Sequence, residues 1–194
     1  MDDKQGQSSS ILERIADAVS GPPPNCEQVS IRHFQMRIGR DGTWFYQGSP
    51  INRIRLVKLF STVLRRESDG RYWLVTPAER GIIDVDDVPF TAVEMTHIAG
   101  ADPGGKDDLL QFRTNLDVKV DCGPDHPLRV AIDPKTQEPS PYILVREGLE
   151  ARLTRSVFYE LAELAHKRDI DGERVYCVWS MGRFYPLGPV EPEC

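Results

Sequence analysis

The stretch Gly48-Ser-Pro-Ile-Asn-Arg-Ile-Arg-Leu-Val-Lys-Leu-Phe-Ser-Thr-Val-Leu-Arg-Arg-Glu-Ser-Asp-Gly70 decides how the chain is read, because Gly148-Leu-Glu-Ala-Arg-Leu-Thr-Arg-Ser-Val-Phe-Tyr-Glu-Leu-Ala-Glu-Leu-Ala-His-Lys-Arg-Asp-Ile-Asp-Gly172 follows the same plan. In each, a glycine closes an aromatic or apolar strand. A short Arg-bearing connector then leads to a helix, and an Asp-Gly turn leads to a strand carrying Trp or Tyr. Gly48 matches Gly148, Arg53 matches Arg152 after a one-residue gap, Phe60 matches Tyr159, and Asp69-Gly70 matches Asp171-Gly172. Two such long copies do not make a solenoid. The pattern implies an internal duplication: an α+β fold of two mostly antiparallel units, each with one main helix.

Working outward, Ile54 to Arg66 places Ile54, Val57, Phe60, Val63 and Leu64 on one helical face, and Ser156 to Lys167 does the same with Val157, Phe158, Leu161, Leu164 and Ala165. Strands are expected at Phe34–Ile38, Thr43–Tyr46, Tyr72–Thr76, Ile82–Val85, Phe90–Ile98 and Leu109–Thr114. In the second half they are expected at Val118–Asp121, Leu128–Ile132, Tyr142–Val145, Arg174–Trp179 and Arg183–Leu187. Gly39-Arg-Asp-Gly42 is a hairpin turn, since Asp-Gly tolerates positive φ, and the Pro-rich stretch from Asp133 to Pro141 reads as a loop. Ahead of these, Ile11, Leu12, Ile15, Ala16 and Val19 recur at helical spacing behind the N-cap serines 8 to 10, and Gly21-Pro-Pro-Pro24 stops them. The organisation is an N-terminal helical arm and Pro-rich linker (1–29), a first unit (30–98), a second unit (99–188) and a tail (189–194).

Composition limits the function. The chain has 194 residues, a formal charge of −6 and 28% charged residues. An acidic balance argues against general nucleic-acid binding, which needs a basic surface. The longest apolar run is Val175 to Trp179, far short of the ~20 residues of a membrane span. The polar start is not a secretory signal. Cys26, Cys122, Cys177 and Cys194 are widely spaced with no Cys-x-x-Cys, so reduced cysteines and a cytoplasmic location are expected.

Catalytic motifs are weak. Gly100-Ala-Asp-Pro-Gly-Gly-Lys106 has the glycine and lysine spacing of a P-loop, but Asp107 stands where Ser or Thr holds magnesium, and a strand follows instead of a helix. It reads as a hairpin loop, and no cofactor is expected. Asp117, Asp121, Cys122, Asp125 and His126 are the densest set of potential metal ligands, but no second His lies near them, and His126-Pro127 also reads as an exposed turn. Asp121 beside Cys122 disfavours a thiolate. The one positive signal is basic: Arg53, Arg55, Lys58, Arg65 and Arg66 fall within fourteen residues that hold no acid. A basic island on an acidic chain suits a specific anion, and Arg suits phosphate because its planar fork holds two oxygens at once. The alternative is that these arginines pair with the acidic remainder.

The blocks Asp41-Gly-Thr-Trp-Phe-Tyr-Gln-Gly-Ser-Pro-Ile51, Val63-Leu-Arg-Arg-Glu67, Tyr72-Trp-Leu-Val-Thr-Pro77, His126-Pro-Leu-Arg129, Gly148-Leu-Glu-Ala-Arg-Leu153 and Val157-Phe-Tyr-Glu-Leu161 resemble the bacterial domain-of-unknown-function family 1285, from about residue 30 to residue 188. The resemblance implies a duplicated core whose C-terminal unit is loosely like a pleckstrin-homology fold, with a bent or half-open barrel closed by the helix. It also implies a ligand site between domains for a nucleotide-like molecule, and a role in bacterial signal transduction. It carries no catalytic residue.

The leading expectation is therefore a non-enzymatic module for a small phosphorylated or nucleotide-like ligand. A protein–protein adaptor using the C-terminal unit or the N-terminal helix is the runner-up, and a metal-dependent enzyme using Asp117 to His126 comes third. If the units pack about a pseudo-twofold axis, Arg53 and Arg152 approach one seam at helix N-termini. Trp44 then stacks on a base, and Asn115 and His126 add polar contacts.

Overall fold

The computed structural model describes residues 31–101, 107–170 and 172–190, and the expected N-terminal arm lies outside them. The chain forms two compact units, residues 1–87 and 88–194. The boundary falls eleven residues before the expected one, so that Phe90–Ile98 belongs to the second unit. Among the described residues strands dominate both units and each has one helix, which is the α+β duplication expected.

The first unit contains β1 (Ile31–Ile38), β2 (Trp44–Tyr46), β3 (Ser49–Pro50), α1 (Ile54–Thr62), β4 (Leu64–Arg66), β5 (Tyr72–Val75) and β6 (Arg80–Val85). Alternation builds β1: Phe34, Met36 and Ile38 are buried, while Gln35 and Arg37 between them are exposed. Two antiparallel meanders, β1-β2-β3 and β4-β5-β6, flank α1. A parallel β1–β6 pairing joins them into one six-stranded sheet of order β3-β2-β1-β6-β5-β4.

The second unit repeats the sequence of elements with β10 (Leu128–Ile132), β11 (Pro139–Arg146), β12 (Leu149–Leu153), α2 (Arg155–Glu163), β13 (His166–Ile170), β14 (Glu173–Ser180) and β15 (Arg183–Pro189). It adds a meander in front: β7 (Phe90–Ile98), β8 (Leu109–Thr114) and β9 (Lys119–Asp121). Here the parallel joint is β12 with β7, giving the order β10-β11-β12-β7-β8-β9, and β13-β14-β15 stands as a separate three-stranded sheet. The shared plan is three strands, a helix and three strands. The glycine match holds in detail: Gln47 and Gly48 have φ of 48° and 81°, and Glu147 and Gly148 have 36° and 76°. Both pairs form the two-residue turn with positive φ at each position that suits twisted hairpins.

Four expectations change. The first helix ends at Thr62, not Arg66, because Leu64–Arg66 pairs with Tyr72–Leu74 and Leu64 is fully buried there. The second ends at Glu163, not Lys167, because His166–Ile170 pairs with β14. The expected connector around Arg152 is β12, so Arg152 sits in a strand while Arg53 is the N-cap of α1. Nor are Phe60 and Tyr159 equivalent: Phe60 is in the core, whereas Tyr159 is 60% exposed and α2 buries Val157 and Leu161.

One glycine is fixed by packing. A Cβ on Gly81 would lie 2.5 Å from two carbons of the Phe34 ring, across the parallel β1–β6 joint. Overpacking of this kind costs about 1–3 kcal/mol. Gly81→Ala is therefore expected to lower the urea midpoint at unchanged slope, and the loss should shrink in a Phe34→Leu background, where the shorter side chain yields.

Candidate functional site

The second unit holds a cleft of about 620 Å³ between the end of β7 with the start of β8 and the β13-β14-β15 sheet. His97 is the penultimate residue of β7 and Asp108 precedes β8. Asp108 is buried, and its Oδ1 lies 2.9 Å from His97 Nε2 and accepts a hydrogen bond from the Gly100 amide at 3.2 Å. A carboxylate accepts, so the proton of this pair sits on Nε2 and leaves Nδ1 as an acceptor. On the opposite wall the Arg168 guanidinium lies 3.7 Å over the Phe184 ring, and Phe184 meets Trp179 edge-on at 4.1 Å. Lys167 reaches over Tyr176 at 5.9 Å. His166, Leu164 and Leu110 complete the lining with Cys177 and Val178. The cleft thus offers cations, flat aromatic faces and one oriented imidazole.

The cleft is held open from behind. Ser180 Oγ donates to the Cys122 carbonyl at 2.7 Å and accepts from the Leu110 amide at 3.0 Å, and the Met181 amide donates to the Asp108 carbonyl at 2.7 Å. These three bonds fasten the β14–β15 hairpin to the start of β8 and to the end of β9. Neither nearby cysteine is a nucleophile. Burial pushes the Cys122 thiol up to about 12, and burial also raises that of Cys177, against a smaller opposing pull from Arg168.

None of the five expected site residues lines this cleft. Trp44 is a correction: it is 1% exposed and packs against Phe60 in the first unit, with no free face for a base. Arg53 is exposed at the N-terminus of α1, whose cap position makes no side-chain hydrogen bond. Asn115 and Arg152 come together on either side of Thr91, as partners of β7. Asn115 Oδ1 accepts from the Thr91 amide at 3.2 Å, in place of a sheet bond, and Arg152 is paired with Thr91 in the ladder. His126 Nδ1 is 3.1 Å from the Leu144 carbonyl, holding the turn before β10. Much of the basic island is spent locally: Arg65 donates to the Thr62 and Leu64 carbonyls, and Arg66 lies over Tyr72.

The expected metal cluster is dispersed. Asp117 pairs with Arg113, Asp121 accepts from Gln111, Cys122 is buried and His126 is bonded to backbone. Among the described residues no three such side chains converge. No described helix is long and apolar enough to cross a membrane. The glycine-rich stretch 102–106 lies outside the described residues.

Sequence reading missed the cleft because its members come from five separated segments. The only local signal is His-Lys-Arg at 166–168, of which His166 and Lys167 read as the end of the expected helix.

A second depression, of about 590 Å³, runs along α2 and is lined mainly by apolar side chains, among them Phe158, Tyr176 and Leu187. Ile132 and Tyr176 remain 42% and 38% exposed at it.

Two family models match the chain: "Domain of unknown function (DUF1285), N-terminal domain" over residues 22–88, and "Protein of unknown function (DUF1285), C-terminal domain" over residues 89–187. The fold is similar to the crystal structure of a DUF1285 family protein from Silicibacter pomeroyi, at 41% identity and a TM-score of 0.78, covering 93% of this chain and 96% of that one. It is also similar to a DUF1285 family protein from Shewanella baltica, at 24% identity and a TM-score of 0.50, covering 67% and 91%. No curated protein matches the chain.

Proposed function

The chain belongs to the DUF1285 family, and from that premise we propose that its second unit is a binding module for a small anionic ligand carrying a flat ring, of the phosphorylated or nucleotide-like kind. The observation that carries the reading is the pairing of Arg168 with Phe184 and Trp179 on one wall of an open cleft. Stacking fixes the guanidinium plane, so its edge is ready for two oxygens of an anion while the aromatic faces take the ring. The likeness to a pleckstrin-homology unit and the signalling role belong to this same reading: a bent sheet with a helix packed on it presents a ligand-dependent surface. The adaptor alternative has the apolar depression along α2 in its favour. The cleft is preferred because charge and oriented hydrogen-bonding groups select a ligand, whereas an apolar surface alone does not.

A thermal-shift screen against nucleotides, dinucleotides and sugar phosphates tests it. A ligand at 100 times its Kd adds about 2.7 kcal/mol. Arg168→Met and Phe184→Ala are expected to abolish that shift while the ligand-free protein stays folded at the assay temperature. Arg53→Met and Arg152→Met are expected to keep it, because neither side chain lines the cleft. No shift with any compound, or a shift that survives both cleft substitutions, overturns the reading.

A further inference from the structure

We propose that His97 is a general base, and that the cleft hydrolyses carboxylic esters whose acyl part carries a negative charge and a ring. The inference rests on the reading of the cleft as an anion site and goes past it, from holding a ligand to turning one over.

Three features of the imidazole carry it. Its Nε2 is bonded to a buried carboxylate at 2.9 Å, and that carboxylate is itself fixed by the Gly100 amide at 3.2 Å, so ring orientation and tautomer are both set. Its Nδ1 has no hydrogen-bond partner among the described residues, and the side chain is 36% exposed into the cleft. The opposite wall carries Arg168, a fixed cation that serves a developing oxyanion or a substrate carboxylate. A base oriented by an acid, in a concave site that also holds a cation, is the arrangement required for water activation. A pin for the base of the β7–β8 hairpin needs the His97–Asp108 bond too. It does not need the second ring nitrogen of a cleft-lining side chain to be left without a hydrogen-bond partner among the described residues.

The step balances without a further reactant. Nδ1 takes a proton from water as the water oxygen bonds to the ester carbonyl carbon and the π pair moves onto the carbonyl oxygen. The pair then returns, the bond to the alcohol oxygen breaks, and His97 gives its proton to that oxygen. The products are the alcohol and the acid, which loses its own proton to solvent. Asp108 is a positioning residue: it holds Nε2–H and stabilises the imidazolium formed in between.

The test uses the full chain with 4-nitrophenyl 4-sulfobenzoate, and 4-nitrophenyl acetate as the uncharged comparison, following nitrophenolate release. The charged ester is expected to be the better substrate by kcat/KM. His97→Gln is expected to lower its kcat by about 100-fold. Asp108→Asn is expected to lower kcat with KM unchanged, a split that a purely structural bond does not produce. Arg168→Met should raise KM for the charged ester. Binding is read separately, from the thermal shift with 4-sulfobenzoate. A normal shift with no turnover beyond that of His97→Gln overturns the catalytic inference and leaves the binding reading standing. No shift and no turnover overturns both. Should His97→Gln melt early, Asp108→Asn assayed at a temperature where it is fully native decides: an unchanged kcat refutes the proposal.

Discussion

Trp44→Ala is expected to cost about 3–5 kcal/mol of unfolding free energy, the range for deleting a large buried aromatic side chain. Trp44 is 1% exposed, and its ring centroid is 6.2 Å from that of Phe60, the side chain by which α1 enters the core of the first unit. Deleting the indole opens a void beside Phe60 and removes the contact that seats the helix on the β2 end of the sheet. The expected result is an early first transition in urea, read by far-UV circular dichroism, since the substitution also removes a fluorophore. Trp44→Phe should cost clearly less. It keeps a ring in the site, and it removes an indole N–H that is buried with no partner among the described residues, a group whose desolvation is worth about 1–3 kcal/mol. The contrary result, normal stability with loss of a ligand response, would restore Trp44 as a stacking platform.

Trp44 also shows what the sequence could and could not reveal. That residues 44–46 form a strand behind a hairpin turn was legible from Gly39 to Gly42. Which face of the strand is buried was not, because Trp44-Phe45-Tyr46 is apolar throughout and offers no alternation to read. The structure buries Trp44 and Tyr46 and leaves Phe45 half-exposed under Arg37, at 4.5 Å. By contrast, Leu149-Glu-Ala-Arg-Leu153 did carry the period-2 signal, with Leu149, Ala151 and Leu153 buried. The glycine before it and the helix after it drew attention to Arg152 as part of a connector. Both helices were legible as amphipathic segments but not in length. The helical pattern runs on past Thr62 and Glu163, and only pairing with the next strands, β5 and β14, decides that the chain turns to strand there. The duplication was readable from its glycines because a positive φ is a local demand. The cleft was not, since its chemistry depends on which strands lie side by side.

Ser180→Ala is expected to remove about 2–5 kcal/mol and to weaken the cleft at the same time. The hydroxyl is fully buried. It donates to the Cys122 carbonyl at 2.7 Å and accepts from the Leu110 amide at 3.0 Å. Alanine leaves both backbone groups unpaired inside the second unit, and each such group costs about 1–3 kcal/mol. The hydroxyl is one atom, so the lost packing is small and the unpaired groups dominate. Ser180→Cys separates the two effects: it fills the space but bonds weakly through sulfur, so most of the loss should remain. The functional consequence follows from position. Trp179 precedes Ser180 on one wall of the cleft, and Leu110 belongs to the other. Freed from Ser180, the β14–β15 hairpin is tied to the start of β8 mainly through the Met181 amide on Asp108. A ligand that bridges the walls must then supply the ordering that Ser180 supplied, and its affinity falls. The expected signature is a destabilised second unit whose thermal shift with ligand is reduced even at temperatures where the protein is fully native. Lost stability with an unchanged Kd would mean that Ser180 secures the core alone, and that the cleft walls are held by other contacts.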